Sequence, residues 1–424
     1  MSLRATTVAA ALCAAVAPAA PGAALSVEYT DAERAVIIGH GPWPPPWSGD
    51  ASNRVSRSPA AIRFGRLLFF DPQLSATGQI SCAFCHQPDR NWTDGRKLGA
   101  ALAEVDRNTP TIADVRFNRW FSWDGSNDSL WSQSIRPLLD AREMGMTEKR
   151  IADLVRSNPG LSCHYQRVFG AAPGADNERV LIDIGKALAA FQETLVAGRA
   201  PFDDFRDALA RGDRKAQARY PVAAQRGAKI FAGRGNCSLC HFGPNFSHGE
   251  FHEIGIPIQR KSGGVDWGRY QGIKMLRASR FNLLSAYNDD RQRADGISTR
   301  HVQLADQTFE QFRVPGLRNV ARTAPYMHNG HFATLPEVVR HYSQIDNTQL
   351  HLAHVYLGGM DGLNVSPPTD TLLQPLKLST PEIADVVAFL ETLTEKRAQP
   401  LPPLPADQAC AIGSLSNISI KTNR

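Results

Sequence analysis

Two five-residue runs could do chemistry: Cys82-Ala83-Phe84-Cys85-His86 and, 155 residues on, Cys237-Ser238-Leu239-Cys240-His241. Both read C-x-x-C-H, the attachment pattern of c-type haem. The porphyrin dictates the spacing. Two thiols add to its two vinyl groups, and the next residue places an imidazole under the iron as proximal ligand. A lone C-x-x-C also suits a redox dithiol or half a zinc site. Here each pair carries an immediate His, and no second pair lies near enough to complete a zinc site. Two covalent haems are expected, on His86 and His241.

The sixth ligand decides what two haems do. An iron capped on both faces passes electrons, whereas an open face binds peroxide. Between His86 and His164 there is no His. Met144 and Met146 could ligate the first iron but suit a core equally well, so an open face is expected there. Gln133, Pro137 and Glu143 follow Trp123 at offsets of 10, 14 and 20. Peroxide cleavage needs a group that moves a proton between the two oxygens. Glu143 can do that and Gln133 can donate a hydrogen bond, although each taken singly reads as a structural polar residue. The second iron has Met327, His328, His331, His341 and Tyr342 as candidate caps. On a helix beginning at Leu335, the residues Leu335, Val339 and Tyr342 share a face, which points His341 aside. Trp123 could shorten an electron hop between the haems or be an ordinary core indole.

These residues need a scaffold of some size. The chain has 424 residues, 42% of them apolar, with a formal charge of +6. That length suggests two domains, one per haem motif. The charge is too diffuse to argue for nucleic acid. Arg4, an apolar stretch over 8–20 and small residues at 20–24 read as a cleaved signal peptide. No later run is long enough to span a membrane. The mature protein is therefore expected in the periplasm. Of seven cysteines, Cys13 leaves with the signal and four hold haem. Cys163 and Cys410 remain, either as a disulfide holding the C-terminal tail to the first domain or as two buried thiols.

Periodicity predicts helices at 59–70, 147–156, 178–196, 201–210, 221–231, 335–342 and 380–396. Stretches 87–146 and 242–311 read as long loops, and no strand pattern is strong. A helix leading into C-x-x-C-H occurs twice, a weak internal repeat. The expected fold is mostly α, with two cytochrome c-like haem domains and long loops. Its divisions are a signal at 1–24, an ordered extension at 25–57, haem domains at 58–218 and 219–400, and a tail at 401–424.

Several longer motifs then stand out. The first half carries Arg107-Asn108-Thr109-Pro110-Thr111 and Trp123-Asp124-Gly125. The second carries Cys240-His241-Phe242-Gly243-Pro244-Asn245-Phe246, Phe251-His252-Glu253-Ile254-Gly255, Val314-Pro315-Gly316-Leu317-Arg318-Asn319 and Ala324-Pro325-Tyr326-Met327-His328-Asn329-Gly330. With these the chain resembles the bacterial di-haem cytochrome c peroxidase and MauG family from about residue 58 to 393. The resemblance implies a peroxide-reacting haem on His86 and a second haem on His241. It implies an inter-haem Trp123 and distal residues Gln133, Pro137 and Glu143. It also implies a calcium ion held by the Asn108 side chain and the carbonyls of Thr323 and Pro325, oxygen donors that suit a hard cation. Typical peroxidases of the family carry a His in the loop after the first motif and a Met on the second iron. This chain has neither at those places, and Tyr342 stands at the second. Both departures resemble MauG and the methanobactin-cluster enzyme MbnH, in which peroxide drives the haems to a shared high-valent state that oxidises tryptophan on a partner protein. MauG exports oxidising equivalents through a Trp six residues before its second haem His, where this chain has Gly235. The implied partners are hydrogen peroxide and either an exported protein substrate or, for a conventional peroxidase, a small cytochrome or copper protein as electron donor.

Overall fold

The computed structural model describes residues 27–345 and 373–396, with Leu401 and Cys410. The expected signal peptide and nearly all of the tail lie outside the described residues. Within them the architecture is mostly α. Helix α1 (Asp31–Gly39) opens the chain, closed at its start by a Thr30/Glu33 capping box. Helix α2 (Pro59–Phe70) has Ser58 as cap and Pro59 in its first turn, and Asp71-Pro72 ends it because proline has no N–H to continue the ladder. The short helix α3 (Cys82–Cys85) holds the first thiol pair. Then come α4 (Leu130–Leu139), α5 (Glu148–Ser157), α6 (Pro159–Phe169) and α7 (Asn177–Gln192).

The second half follows the same logic. Helices α8 (Pro201–Arg211) and α9 (Arg214–Gln217) precede α10 (Val222–Ala232), which leads into α11 (Cys237–Cys240) and the second thiol pair. After these come α12 (Gly268–Ala278), α13 (Ile297–His301), α14 (Leu335–Gln344) and α15 (Thr380–Glu391). Strands β1 (Phe251–His252) and β2 (Phe312–Arg313) pair antiparallel, with Phe251 opposite Arg313.

Each half is built on one helix crossing. In the first, α2 meets α7 at Gly65, where an added Cβ would stand 1.9 Å from the Ala187 carbonyl oxygen. In the second, α10 meets α15 at Gly227, 2.0 Å from that of Asp385. Only glycine allows two helix backbones to approach so closely. Around the first crossing lie Phe64, Leu68, Trp131, Ile184 and Phe191, and around the second Phe231, Phe246, Val386 and Phe389. Phe202, Phe205 and Leu209 of α8 join the second cluster although they precede residue 219, and so does Ile37 of the N-terminal extension. The apolar faces of these segments, not their place in the chain, choose the partner.

Four expectations are corrected. Helix α7 stops at Gln192 and not 196, and α15 at Glu391 and not 396. The supposedly irregular stretch 87–146 contains α4, whose signal Pro137 obscures; Ser129 nonetheless caps it. The 242–311 stretch contains α12 and α13. Gly272 of α12 would put a Cβ 2.0 Å from the Asp124 carbonyl oxygen, so α12 docks directly on the Trp123-Asp124-Gly125 triplet.

Cys163 and Cys410 form a disulfide across 247 residues of sequence, so the tail is fastened to α6 of the first half. Closing so long a loop contributes about 2–4 kcal/mol. The C163S/C410S variant is expected to melt at lower temperature in a thermal scan and to lose its C-terminal peptide to limited proteolysis. A native-like melt with an intact tail would contradict this. No described helix is long and apolar enough to cross a membrane.

Candidate functional site

The first cavity, about 690 Å³, is of the size that holds a cofactor. Cys82, Cys85 and His86 line it together with Trp123, Gln133, Pro137 and Glu143. The three distal candidates and Trp123, from loops and from α4, are thus brought to one space. Burial pushes the Cys82 and Cys85 thiols up to about 12, so they stay protonated. The His86 Nδ1 donates to the Trp92 carbonyl at 3.0 Å, which leaves Nε2 for the cavity and fixes the ring. Burial holds the imidazole below its ordinary range. Among the described residues no second His lines this cavity. Met144 backs its wall, and Met146 lies in the surrounding core.

The amide of Gln133 has a determined orientation. Arg136 Nη1 donates to Ser122 Oγ at 3.0 Å. That hydroxyl must therefore pass its own proton onward, and it sits 2.7 Å from Gln133 Oε1. Asn127 Nδ2 donates to the same Oε1 at 2.9 Å. With its oxygen doubly engaged, Gln133 presents Nε2 as a donor. Beside it burial raises the Glu143 carboxyl, while Arg136 and Arg142 pull it down and Asp140 pushes it up. A carboxyl lifted by burial is a stronger base than an exposed glutamate, suited to taking up a proton and returning it. The second half closes this cavity with Val265, Trp267 and Lys274, residues that loop-like sequence gave no reason to select.

The second cavity, about 250 Å³, repeats the device. Cys237, Cys240 and His241 line it, and His241 Nδ1 donates to the Phe246 carbonyl at 2.9 Å. Burial takes His241 down to about 4 and Cys237 up to about 12. Both sites therefore offer two thiols and one oriented imidazole, a donor set that fits covalent haem. Tyr342 lines this cavity with Leu335 and Val339 from the same face of α14. Burial raises its phenol, and the nearby Cys240 and Cys237 add to the rise. His341 points elsewhere, its Nε2 lying 2.7 Å from the Ile254 carbonyl. Met327 and His328 also line the wall, but His328 is stacked on Phe312 at 3.6 Å between centroids. Asn108, Thr323 and Pro325 lie on the same cavity. The Asn108 Nδ2 donates to the Arg96 carbonyl at 2.8 Å, which turns Oδ1 the other way.

Trp123 belongs to both cavities. Its Nε1 donates to the Asn108 carbonyl at 2.9 Å, and Asn108 N–H donates to His328 at 2.8 Å. Arg107 secures the junction with bonds of 2.7 Å to Asp124 and to both oxygens of Asp266. Burial opposes ionisation of Asp266, yet Arg107 outweighs it and holds the carboxyl well below the usual range. At Gly235 an added Cβ would stand 2.6 Å from the Ile230 carbonyl oxygen, so no side chain fits there.

The chain is similar to several known proteins. Residues 59–211 match the model of the di-haem cytochrome c peroxidase family. The methylamine utilization protein MauG of Methylorubrum extorquens is 31% identical over 352 residues, 82% of each chain. The cytochrome-c peroxidase IdrP2 of a Pseudomonas species is 31% identical over 380 residues, 88% of this chain and 89% of the relative. The crystal structure of a MauG-like protein associated with microbial copper homeostasis superposes with a TM-score of 0.59 at 25% identity, covering 84% of this chain and 97% of that one. The diheme peroxidase BthA of Burkholderia thailandensis shares the fold, at a TM-score of 0.59 and 24% identity over 80% of this chain and 87% of its own. Two cavities, each with paired thiols and an oriented imidazole and joined by one indole, together with this identity over most of the chain, place it in the di-haem cytochrome c peroxidase and MauG family, whose members are haem-dependent oxidoreductases acting with peroxide.

Proposed function

We propose that this protein uses hydrogen peroxide to oxidise tryptophan residues of a partner protein in the periplasm. The carrying observation is Tyr342 on the wall of the second cavity, where a conventional peroxidase would place a Met. The absence of any His from 87 to 163 supports an accessible first iron. Bound haem supplies the reaction with peroxide and the capacity to hold oxidising equivalents. Glu143 holds and returns the proton that peroxide cleavage needs, and Gln133 Nε2 donates to the outer oxygen. Pro137 shapes the wall between them. Trp123, whose indole lies on both cavities, offers a step for an electron between them. Tyr342 offers an oxygen donor that favours the ferric and higher states. Asn108, Thr323 and Pro325 hold a calcium ion that keeps the junction rigid.

The MauG-like relative associated with copper homeostasis supports a partner other than a methylamine enzyme, as does the bar to any side chain at Gly235. A conventional peroxidase taking electrons from a small cytochrome or cupredoxin is the second reading, favoured by the likeness to IdrP2. One experiment separates them. Peroxide is added to the all-ferric protein and the optical spectrum followed. The modifying enzyme reacts without prior reduction and stays oxidised by two equivalents for long enough to record. In Tyr342→Phe the second-haem spectrum changes and the long-lived state is lost. A requirement for prior reduction, with an unchanged Tyr342→Phe spectrum, favours the peroxidase.

A further inference from the structure

Among the described residues, Arg313 is a buried cation with no ion-pair partner. Its residue is 6% exposed. Its Nε donates to the Ser122 carbonyl at 3.2 Å, and its backbone N–H to that of Trp123 at 2.8 Å. Burial draws its guanidinium down to about 10, with no charged neighbour among the described residues acting on it. Arg318 is comparably buried and Arg107 largely so, and both grip carboxylates, Asp203 in one case and Asp124 and Asp266 in the other; the buried Arg269 instead lies over the Trp120 and Phe251 rings. A charge taken out of water without a partner is unfavourable by several kcal/mol, so an arginine here calls for an anion that arrives with something else. Arg313 lines both cavities, and each c-type haem brings two propionate carboxylates. The planar guanidinium, with two Nη groups left after Nε is engaged, is suited to pairing two such groups at once.

We propose that Arg313 is a propionate clamp shared by the two haems, pairing one carboxylate from each cavity while Ser122 holds its Nε. The inference rests on the two-haem reading and adds the group that joins the cofactors electrostatically. A single positive charge between them favours the reduced form of both, so its removal lowers both potentials in step.

The test uses the mature holoprotein. Intact mass first counts the haems; fewer than two in the native protein would overturn the two-haem reading and not the clamp specifically. Spectroelectrochemical titration of R313Q, with the ferric signals of the two haems distinguished by electron paramagnetic resonance, then reads the clamp. Both midpoint potentials fall together, and R313K restores them in part. A fall at one haem alone, or at neither, overturns the proposal. Should R313Q fail to mature, R313K decides: the compact ammonium keeps the charge but lacks the planar guanidinium fork that spans both cavities, so at least one midpoint falls, and two unchanged midpoints overturn the clamp.

Discussion

Glu143→Gln is expected to slow the reaction with hydrogen peroxide by about 10²–10⁴-fold, the usual contribution of a positioned acid–base group. The amide keeps the shape and polarity of the carboxyl but cannot take up and return a proton. Burial holds the Glu143 carboxyl above its ordinary range against the pull of Arg136 and Arg142, so the native group retains its proton further toward neutrality than an exposed glutamate. Stopped-flow mixing with peroxide measures the effect. The bimolecular rate should drop while the resting spectrum and haem content stay native. The acid limb of the native pH profile should also flatten, because the titrating group is gone. If Glu143→Gln reacts at the native rate, the proton comes from another group. Gln133→Leu offers a graded comparison: it removes a donor and not a proton carrier, so its loss should be smaller.

Gly227→Ala should destabilise the protein by about 3 kcal/mol or more, the upper range for overpacking a close-packed interior. Alanine in place of glycine ordinarily stabilises a helix interior by about 1 kcal/mol, so a loss isolates the packing. The new methyl would stand 2.0 Å from the Asp385 carbonyl oxygen and 2.8 Å from Phe389 Cβ. Both are fixed by helix α15, so α10 and α15 must separate. Gly65→Ala meets the equivalent contact with Ala187 and Phe191 at 1.9 and 3.0 Å, and the same loss is expected. Thermal unfolding followed by circular dichroism reads both. An equal or higher midpoint in either variant would falsify the claim that these crossings leave no room.

The chemistry-bearing residues were legible in the sequence because covalent haem attachment is local. Two thiols and an imidazole in five residues need no tertiary contact to be recognised, and each motif does face a cavity. Helix α2 was legible for a similar reason, since Ser58, Pro59 and Asp71-Pro72 mark both its ends. Helix α4 was not: Pro137 breaks the helical signal while Ser129 and the burial of Trp131 and Ile135 sustain the helix. The packing of α8 and Ile37 into the second cluster was equally hidden, because an apolar face does not specify which neighbour will cover it.

The sequence by itself determined the two C-x-x-C-H motifs, one in each half, and the residue types offered to their cavities. Only the tertiary structure decided that Trp123 and Arg313 lie on both cavities, that Gln133 presents its amide nitrogen, and that Gly235 can carry no side chain. The physical reason is range. Attachment motifs and helix caps act over a few residues, whereas a shared wall between two cofactor sites depends on backbones brought together from positions nearly 200 residues apart.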